Sequence, residues 1–474
     1  MIERLASDSR RCAPGVAFFA YPGAAADGRA HIPDAIRRGA AGVLWEAEGF
    51  AWRDEWRLPN APVQGLKAQA GLLAHAFYGR PSEALWTCGV TGTNGKTSCS
   101  QWIAAALGGA GAKCGVLGTL GAGFPGALVD AGNTTPDALE LHRTLAAMRR
   151  EGAVAAAMEV SSHGLDQGRV NGVAFDCALF TNLTHDHLEY HGSMQAYAAA
   201  KARLFENEAL ACAVLNLDDA FGVQLAARLR ARGVRTIGYS LSTGGVAPGS
   251  VDEYIAAARI APERLELATS WGAAQTAFQP LGRFNVANAL GVLGCLVAYG
   301  LPFAQALAAL AALPPVPGRM QRVGDAPLTV VDYAHSPDAL EKVLQALRPV
   351  AQARGGRLAL VFGAGGDRDR SKRAPMGAAA SRLADRIVLT SDNPRSEDPR
   401  AILRDIEAGI SAPHEVEPDR ARAIALAIAA ATDADVVLIA GKGHESYQET
   451  AGRREPFSDA QVAQAALERR AGKR

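Results

Sequence analysis

The residues best equipped for chemistry lie in one short run, Thr91-Gly92-Thr93-Asn94-Gly95-Lys96-Thr97-Ser98, between the apolar WTCGV and the helix-compatible CSQWIAAAL. A glycine-rich turn from strand to helix lets backbone N–H groups and the helix N-terminus face a phosphate, and a lysine can reach the β and γ phosphates. Thr97, the hydroxyl after that lysine, then suits Mg2+. Val90 stands where the strict eight-residue pattern has glycine, so the generic motif fails at one position. The competing reading is a chance Gly-Lys-Thr turn; the strand before it and the helix after it weigh against that.

Two further clusters follow. The run VAAAMEV delivers Glu159 at its end, ahead of Ser161-Ser162-His163-Gly164-Leu165. A carboxylate closing an apolar strand near a phosphate loop is placed to hold Mg2+ directly or through water, whereas the bland alternative is a helix-capping glutamate. The run CALFTNLT leads into His185-Asp186-His187-Leu188-Glu189-Tyr190-His191. Such closely spaced histidines suggest zinc, but zinc takes tetrahedral sets of fixed geometry and no cysteine adjoins them. One histidine supporting a second magnesium fits an ATP site better. Lys201, within MQAYAAAKARLF, reads by composition as a solvated surface lysine.

These residues need a frame. Short continuous apolar runs recur, each followed by a Gly- or Asp-containing turn and then helix-compatible sequence, which is an α/β pattern. WTCGV, CGVLGT, VAAAMEV, CALFTNLT, LTVVDYA, LALVFGAG, IVLTSDN and VVLIAG are continuous rather than alternating, as strands buried on both faces of a parallel sheet should be. Ligands of open α/β sheets sit at the carboxyl ends of the strands, where the clusters above fall. A chain of 474 residues is long enough for about three domains. Proline positions (Pro81; Pro314, Pro315 and Pro317) place the boundaries at 1–83, 84–317 and 318–474.

Composition narrows the partners. Lys+Arg 49 against Asp+Glu 48 leaves a net charge of +1, so no global field recruits nucleic acid or an anionic membrane. Seven cysteines without a CxxC pair read as buried, reduced thiols, which favours the cytoplasm. The first residues, MIERLASDSRRCAPG, lack the apolar stretch of an export signal. Phe284 to Gly318 contains no charged residue and is long enough in principle to span a bilayer, yet Asn285, Asn288 and Gln305 and the break Tyr-Gly-Leu-Pro (299–302) argue for two buried helices rather than a membrane span.

TGTNGKT is a variant associated with Mur ligases and folylpolyglutamate synthetases, which join an amine to a carboxylate with ATP. It occurs here in one order with NTTP, MEVSSHGLDQGRV, TNLTHDHLEYHG, AAAKARLF, GRFNVANA, PGRM, DYAHSPDAL, GGDRDRSKR, DNPR and GKGHE. Across nearly its whole length the chain thus resembles the Mur ligase family, within it the diaminopimelate-adding branch. The resemblance implies three α/β domains: one for the uridine nucleotide, a central P-loop-type ATPase sheet, and a C-terminal Rossmann-like domain for the amino acid. By resemblance, Ser7, Ser9 and Ala24, Ala25 and Ala26 lie at the uridine end, and Asn133, Thr134, Thr135, Ser161, Gln167 and Arg169 hold the muramoyl-peptide. Gly92, Thr93, Asn94, Gly95, Lys96, Thr97 and Ser98 with Asn285, Arg319, Asp332 and His335 bind ATP.

Thr97, Glu159 and His187 are the implied magnesium ligands, and Lys201 matches the lysine that the family carbamylates with carbon dioxide, which overturns its surface reading. Lys96, Lys201, His187 and Glu159 are then the catalytic set. Arg368, Asp392, Asn393, Pro394, Arg395, Gly441 and Glu445 match the diaminopimelate site; an arginine fork suits a carboxylate and an acid such as Glu445 an ammonium. The pattern departs in three places. Only seven residues precede Asp8, Ala24 to Ala26 lack polar side chains, and the proline of Lys372-Arg373-Ala374-Pro375 is moved by one place. The implied reaction attaches meso-diaminopimelate to UDP-N-acetylmuramoyl-L-alanyl-D-glutamate through an acyl phosphate, in a cytoplasmic monomer. The alternatives are a lysine-adding relative, a folylpolyglutamate synthetase and a nucleotide-dependent binding protein without catalysis.

Overall fold

A computed structural model describes residues 1–23, 26–261, 264–278 and 281–472. Two compact units emerge, one of Met1–Gln279 with Val286–Leu313 and one of Pro280–Asn285 with Pro314–Arg474.

The first unit holds two sheets. The strands Arg4–Ala6, Val16–Ala20, Gly42–Glu46 and Asn60–Val63 form a parallel four-stranded sheet in that order. Alternate residues of Val16–Ala20 point to opposite faces. Phe18 packs with Ile32 and Trp45 on one face, and Phe19 with Leu66, Ala70, Ala74 and Leu139 on the other. Leu139 lies on the helix Ala138–Arg150, which serves both sheets: Leu139 packs in the core of this one, and Leu141, Leu145 and Met148 in that of the central sheet.

The central sheet has eleven strands, and its middle is parallel: Glu253–Ile260, Arg235–Ser240, Cys212–Asn216, Cys177–Phe180, Trp86–Thr91, Ala155–Glu159 and Cys114–Gly118. Four of them are the continuous apolar runs of the sequence, Trp86–Thr91, Cys114–Gly118, Ala155–Glu159 and Cys177–Phe180, buried on both faces; Cys212–Asn216, Arg235–Ser240 and Glu253–Ile260 are further strands that the sequence reading did not single out. Antiparallel strands close each edge, Gly121–Phe124 and Ala127–Val129 at one side and Leu265–Thr269 and Gly272–Thr276 at the other. Several runs stop short of their expected ends: CALFTNLT is strand only to Phe180, and IVLTSDN only to Leu389. Beyond those points Thr181, Asn182 and Asn393 leave the ladder to bind neighbouring loops. The uncharged stretch becomes the helices Arg283–Tyr299 and Phe303–Ala311. Gly300, at φ +106, and Pro302, at the N-cap, separate them. Among the described residues no helix is long and apolar enough to cross a membrane.

The second unit is a six-stranded sheet. An antiparallel edge strand, Gln321–Asp325, is followed by Leu328–Asp332, Val436–Ala440, Leu358–Phe362, Arg386–Leu389 and Glu415–Val416, all parallel. Helices Pro337–Ala353, Arg373–Leu383 and Pro399–Glu407 cover one face. Arg420–Ala430 and Asp459–Ala471 cover the other.

Candidate active site

The strand Trp86–Thr91 ends in the phosphate loop, and the helix Lys96–Gly109 starts from it. Gly92 has φ +146 and a Cβ there would collide with the Thr181 hydroxyl, so only glycine lets the two strand ends approach. Val90, where the strict motif has glycine, is fully buried in the strand, and the loop begins two residues later. The loop is held from the next strand's end: Thr93 N donates to Asn182 O (2.8 Å), Asn94 N to Asn182 Oδ1 (3.0 Å), and Thr181 Oγ1 to Asn94 O (2.6 Å). Lys96 Nζ folds over the loop and donates to Gly92 O and Thr93 O at 2.9 and 2.8 Å.

Glu159 closes the neighbouring strand and is 1% exposed. Its Oε2 accepts from Thr97 Oγ1 (3.0 Å) and Thr119 Oγ1 (3.1 Å), and its Oε1 from Thr119 N (2.7 Å). These donors are all uncharged. Among the described residues no lysine, arginine or histidine forms an ion pair with this buried carboxylate, whose oxygens are hard donors of the kind a divalent cation takes.

Lys201 is not a surface lysine. It lies on the helix Met194–Ala202, is 1% exposed, and donates to Gly92 O at 2.8 Å, the carbonyl that Lys96 also uses. Burial first, and then the Lys96 charge, push its ammonium well below the usual lysine range. Tyr197, one turn earlier, places its ring 4.3 Å from the amine and its hydroxyl 3.2 Å from Thr93 Oγ1. His187 sits at positive φ (54°) with an exposed side chain, 6.3 Å ring to ring from Tyr197 and 4.8 Å from His163. Thr97, Glu159, Lys96 and Lys201 therefore gather at the loop, and His187 stands beyond Tyr197.

The muramoyl-peptide candidates join the same network. Thr134 Oγ1 is 3.0 Å from Thr119 Oγ1, and Thr135 Oγ1 donates to Glu159 O (2.9 Å) while receiving Ser161 N (3.0 Å). Ser161 caps the helix Ser162–Asp166 by accepting from Gly164 N. Arg169 donates twice to Gln167 Oε1 and once to Thr135 O (2.8 Å). Asn133 is exposed. At the other end of the unit, Ser9 is buried with its hydroxyl committed to Asp34 Oδ2 (2.8 Å), and Ser7 is half-buried. Ala26 accepts from Gly23 N, whereas Ala24 and Ala25 lie outside the described residues.

In the second unit Asp332 ends its strand buried, accepting from Met320 N (2.7 Å) and Ala334 N (2.8 Å); burial raises its carboxyl. Arg319 lies over the Tyr333 ring at 4.5 Å, His335 Nδ1 is 2.7 Å from Tyr333 O, and Asn285 Nδ2 donates to Leu281 O. The DNPR and GKGHE segments meet around a lysine. Lys442 Nζ, fully buried, donates to Asn393 Oδ1 (2.9 Å) and Glu445 Oε2 (3.0 Å), and Asn393 Nδ2 donates to the same Glu445 oxygen (2.7 Å). Gly441 is at φ +116, where a Cβ would stand 2.5 Å from Asp392 Oδ2. Pro394 is buried, Arg395 at φ +52 donates to Gly366 O (2.7 Å), and Arg368 is exposed. Sequence reasoning missed Thr119, Tyr197 and Lys442. The available signals were a hydroxyl after CGVLG, the four-residue spacing from Tyr197 to Lys201, and a lysine directly after VVLIAG.

Family models match almost end to end: Mur ligase family, catalytic domain at residues 1–78; Mur ligase middle domain at 90–296; and Mur ligase, glutamate ligase domain at 318–443. The chain belongs to the Mur ligase family. This Mur ligase is 52% identical over 470 residues to the UDP-N-acetylmuramoyl-L-alanyl-D-glutamate--2,6-diaminopimelate ligase of Chromobacterium violaceum, covering 98% of this chain and 94% of that one. A solved structure of a ligase with the same description is 36% identical, with TM-score 0.70 and coverage of 99% and 95%. The Mur ligase also shares its fold with the MurF ligase from Thermotoga maritima in complex with ADP, at 19% identity, TM-score 0.63 and coverage of 99% and 98%.

Proposed function

We propose that the chain joins meso-2,6-diaminopimelate to UDP-N-acetylmuramoyl-L-alanyl-D-glutamate with ATP converted to ADP and phosphate, supplying peptidoglycan precursors. A substrate carboxylate oxygen attacks the γ-phosphorus and ADP leaves; the amine then attacks the acyl carbon, phosphate leaves, and the amine loses a proton. The observation that carries an ATP-driven acyl activation is the convergence of Lys96 and Lys201 on the one carbonyl of Gly92, which sets a cation (Lys96) and a buried amine (Lys201) together in a loop built for phosphate. The choice of diaminopimelate follows the names of the near-full-length relatives.

The donor set fits magnesium: the Thr97 hydroxyl and the Glu159 carboxylate are hard oxygen ligands, with His187 as a further ligand. Bound magnesium neutralises charge growing on the transferring phosphoryl group. Lys201 takes up carbon dioxide, its lone pair forming the N–C bond and its proton leaving, to give a carbamate. Its buried, depressed amine is the uncharged nucleophile that this needs. Residues 1–83 take the uridine end through Ser7, Ser9 and Ala24 to Ala26, and residues 84–317 hold the muramoyl-peptide and the phosphates. Residues 318–474 hold diaminopimelate through Arg368, Asp392, Asn393, Pro394, Arg395, Gly441 and Glu445. Asn285, Arg319, Asp332 and His335 contact the nucleotide. The protein works as a cytoplasmic monomer.

Lysine and diaminopimelate differ by one carboxylate at the far end, which Arg395 receives while Arg368 takes the near one. Radiolabelled diaminopimelate should enter product only with ATP present, and lysine should be a very poor substitute. Losing a buried charge-assisted pair costs roughly 2–5 kcal/mol, so Arg395→Ala should raise KM for diaminopimelate by about 30-fold or more, with ATP parameters nearly unchanged. Equal use of lysine by the wild type would refute the amino-acid assignment and leave the ligase assignment standing.

A further inference from the structure

Three cysteines that are far apart in sequence converge beneath the phosphate loop. Cys88 and Cys177 are directly paired in register on adjacent parallel strands, Trp86–Thr91 and Cys177–Phe180, so their side chains leave the sheet on the same face. The helix Arg283–Tyr299 lays Cys295 over them. Its Sγ is 3.9 Å from that of Cys88 and 4.0 Å from that of Cys177, and all three sulfurs lie within 4.8 Å of one another. All are fully buried, and the ligation chemistry uses none of them.

A buried cysteine is ordinarily a small apolar side chain, and packing alone would accept alanine or valine at each position. What packing does not require is three sulfurs at this separation. A metal–sulfur bond of about 2.3 Å at the centre of an equilateral sulfur triangle demands edges of about 4.0 Å; the two edges from Cys295 are 3.9 and 4.0 Å, and the third is no longer than 4.8 Å. Among the described residues no fourth His, Cys, Asp or Glu lies within 4.8 Å of all three sulfurs; Cys212, in register with Cys177 on the next strand, adjoins Cys177 but falls outside that group. Zinc, which takes four ligands in structural sites, is therefore poorly served, whereas a soft ion content with few thiolates is well served.

We propose that Cys88, Cys177 and Cys295 form a trigonal thiolate site for copper(I) inside the ATP-binding sheet. Binding displaces thiol protons and forms three Cu–S bonds; no electron is transferred. Cys88 lies on the strand that enters the phosphate loop, and Cys177 on the strand that leads directly into Thr181, whose hydroxyl holds Asn94.

The full-length reduced chain, kept without oxygen, is titrated with copper(I) against the chelator bicinchoninic acid. We expect one copper(I) retained per chain, near-ultraviolet thiolate-to-copper absorption, and a raised thermal midpoint through binding to the folded state. Cys295→Ser and Cys177→Ser should each weaken retention by at least about tenfold and abolish the thermal shift; Cys12→Ser, at a thiol remote from the cluster, should change neither. No copper retained by the wild type, or equal retention in the Cys295→Ser and Cys177→Ser chains, overturns the site. If either variant fails to fold, the decision rests on the wild-type stoichiometry and absorption, and zinc(II) held as tightly as copper(I) overturns the trigonal assignment.

Discussion

At Lys201 the side-chain type and its surroundings conflict most sharply. The folded chain holds this amine below its ordinary range through burial and the Lys96 charge, whereas the unfolded chain protonates it up to about 10.4. Over that window unfolding takes up a proton, so burying the lysine costs stability, and the cost fades as pH rises. In carbon-dioxide-free buffer Lys201→Met should therefore raise the thermal midpoint at pH 7, with the gap closing towards pH 10, while ligase activity is lost. A lower midpoint at pH 7 would mark Lys201 as a well-paired structural cation. His142 makes the opposite contribution to acid stability. It is fully buried on the helix Ala138–Arg150, 2.9 Å from Asn171 O and beside His75, and burial brings it down to about 4. It is neutral when folded and protonates below about 6.5 when unfolded, so its contribution is intact above pH 6.5 and lost as pH falls through 4, up to about 3 kcal/mol. Urea midpoints followed from pH 7 to 4 should fall less steeply for His142→Gln than for the wild type; parallel slopes would remove His142 from the acid response.

The elements set the limits of such residues, and Gly118 shows how. It ends the strand Cys114–Gly118, where a Cβ would run into the Glu159 carboxylate. Gly118→Ala should displace that carboxylate and raise the magnesium concentration for half-maximal activity by about 10–100-fold, with the far-ultraviolet circular dichroism unchanged; an unaltered magnesium dependence would detach Glu159 from the metal. The parallel strands and the polar residues at their carboxyl ends were legible in the sequence because strands buried on both faces are written as continuous apolar runs. The edge strands Gly121–Phe124, Ala127–Val129 and Gly272–Thr276 were not, since glycine- and alanine-rich hairpins with half-exposed faces carry no such run. Burial of Lys201 was equally hidden at the level of composition, because the groups that enclose it include a loop carbonyl 109 positions away; motif resemblance alone pointed to it. The thiol cluster depends on strand register, which spacing along the chain does not encode.

At the scale of the whole molecule, the division into two units has a physical basis in where the cores close. The second unit buries Leu340, Leu344, Leu360, Phe362 and Leu438 on one face of its sheet and Val361, Ile424, Ile428 and Ile439 on the other. Its most demanding interaction is also internal: Arg420 and Asp459, both fully buried, make two hydrogen bonds of 2.7 Å, and the remaining guanidinium donors reach Ser391 O and Ala440 O. A sheet of this length with helices on both faces removes enough apolar surface to be stable alone. The fragment Pro314–Arg474 should accordingly unfold cooperatively on heating, with matching transitions by circular dichroism and tryptophan-independent dye binding. Removing one partner of a buried pair strands an uncompensated charge and costs about 3–5 kcal/mol, so Asp459→Asn should destabilise the fragment by that amount. ADP with magnesium should raise the thermal midpoint of the full chain far more than that of the fragment, because Thr91 to Ser98 belong to the other unit. A fragment that melts without cooperativity would show that the second core is completed only by the rest of the chain.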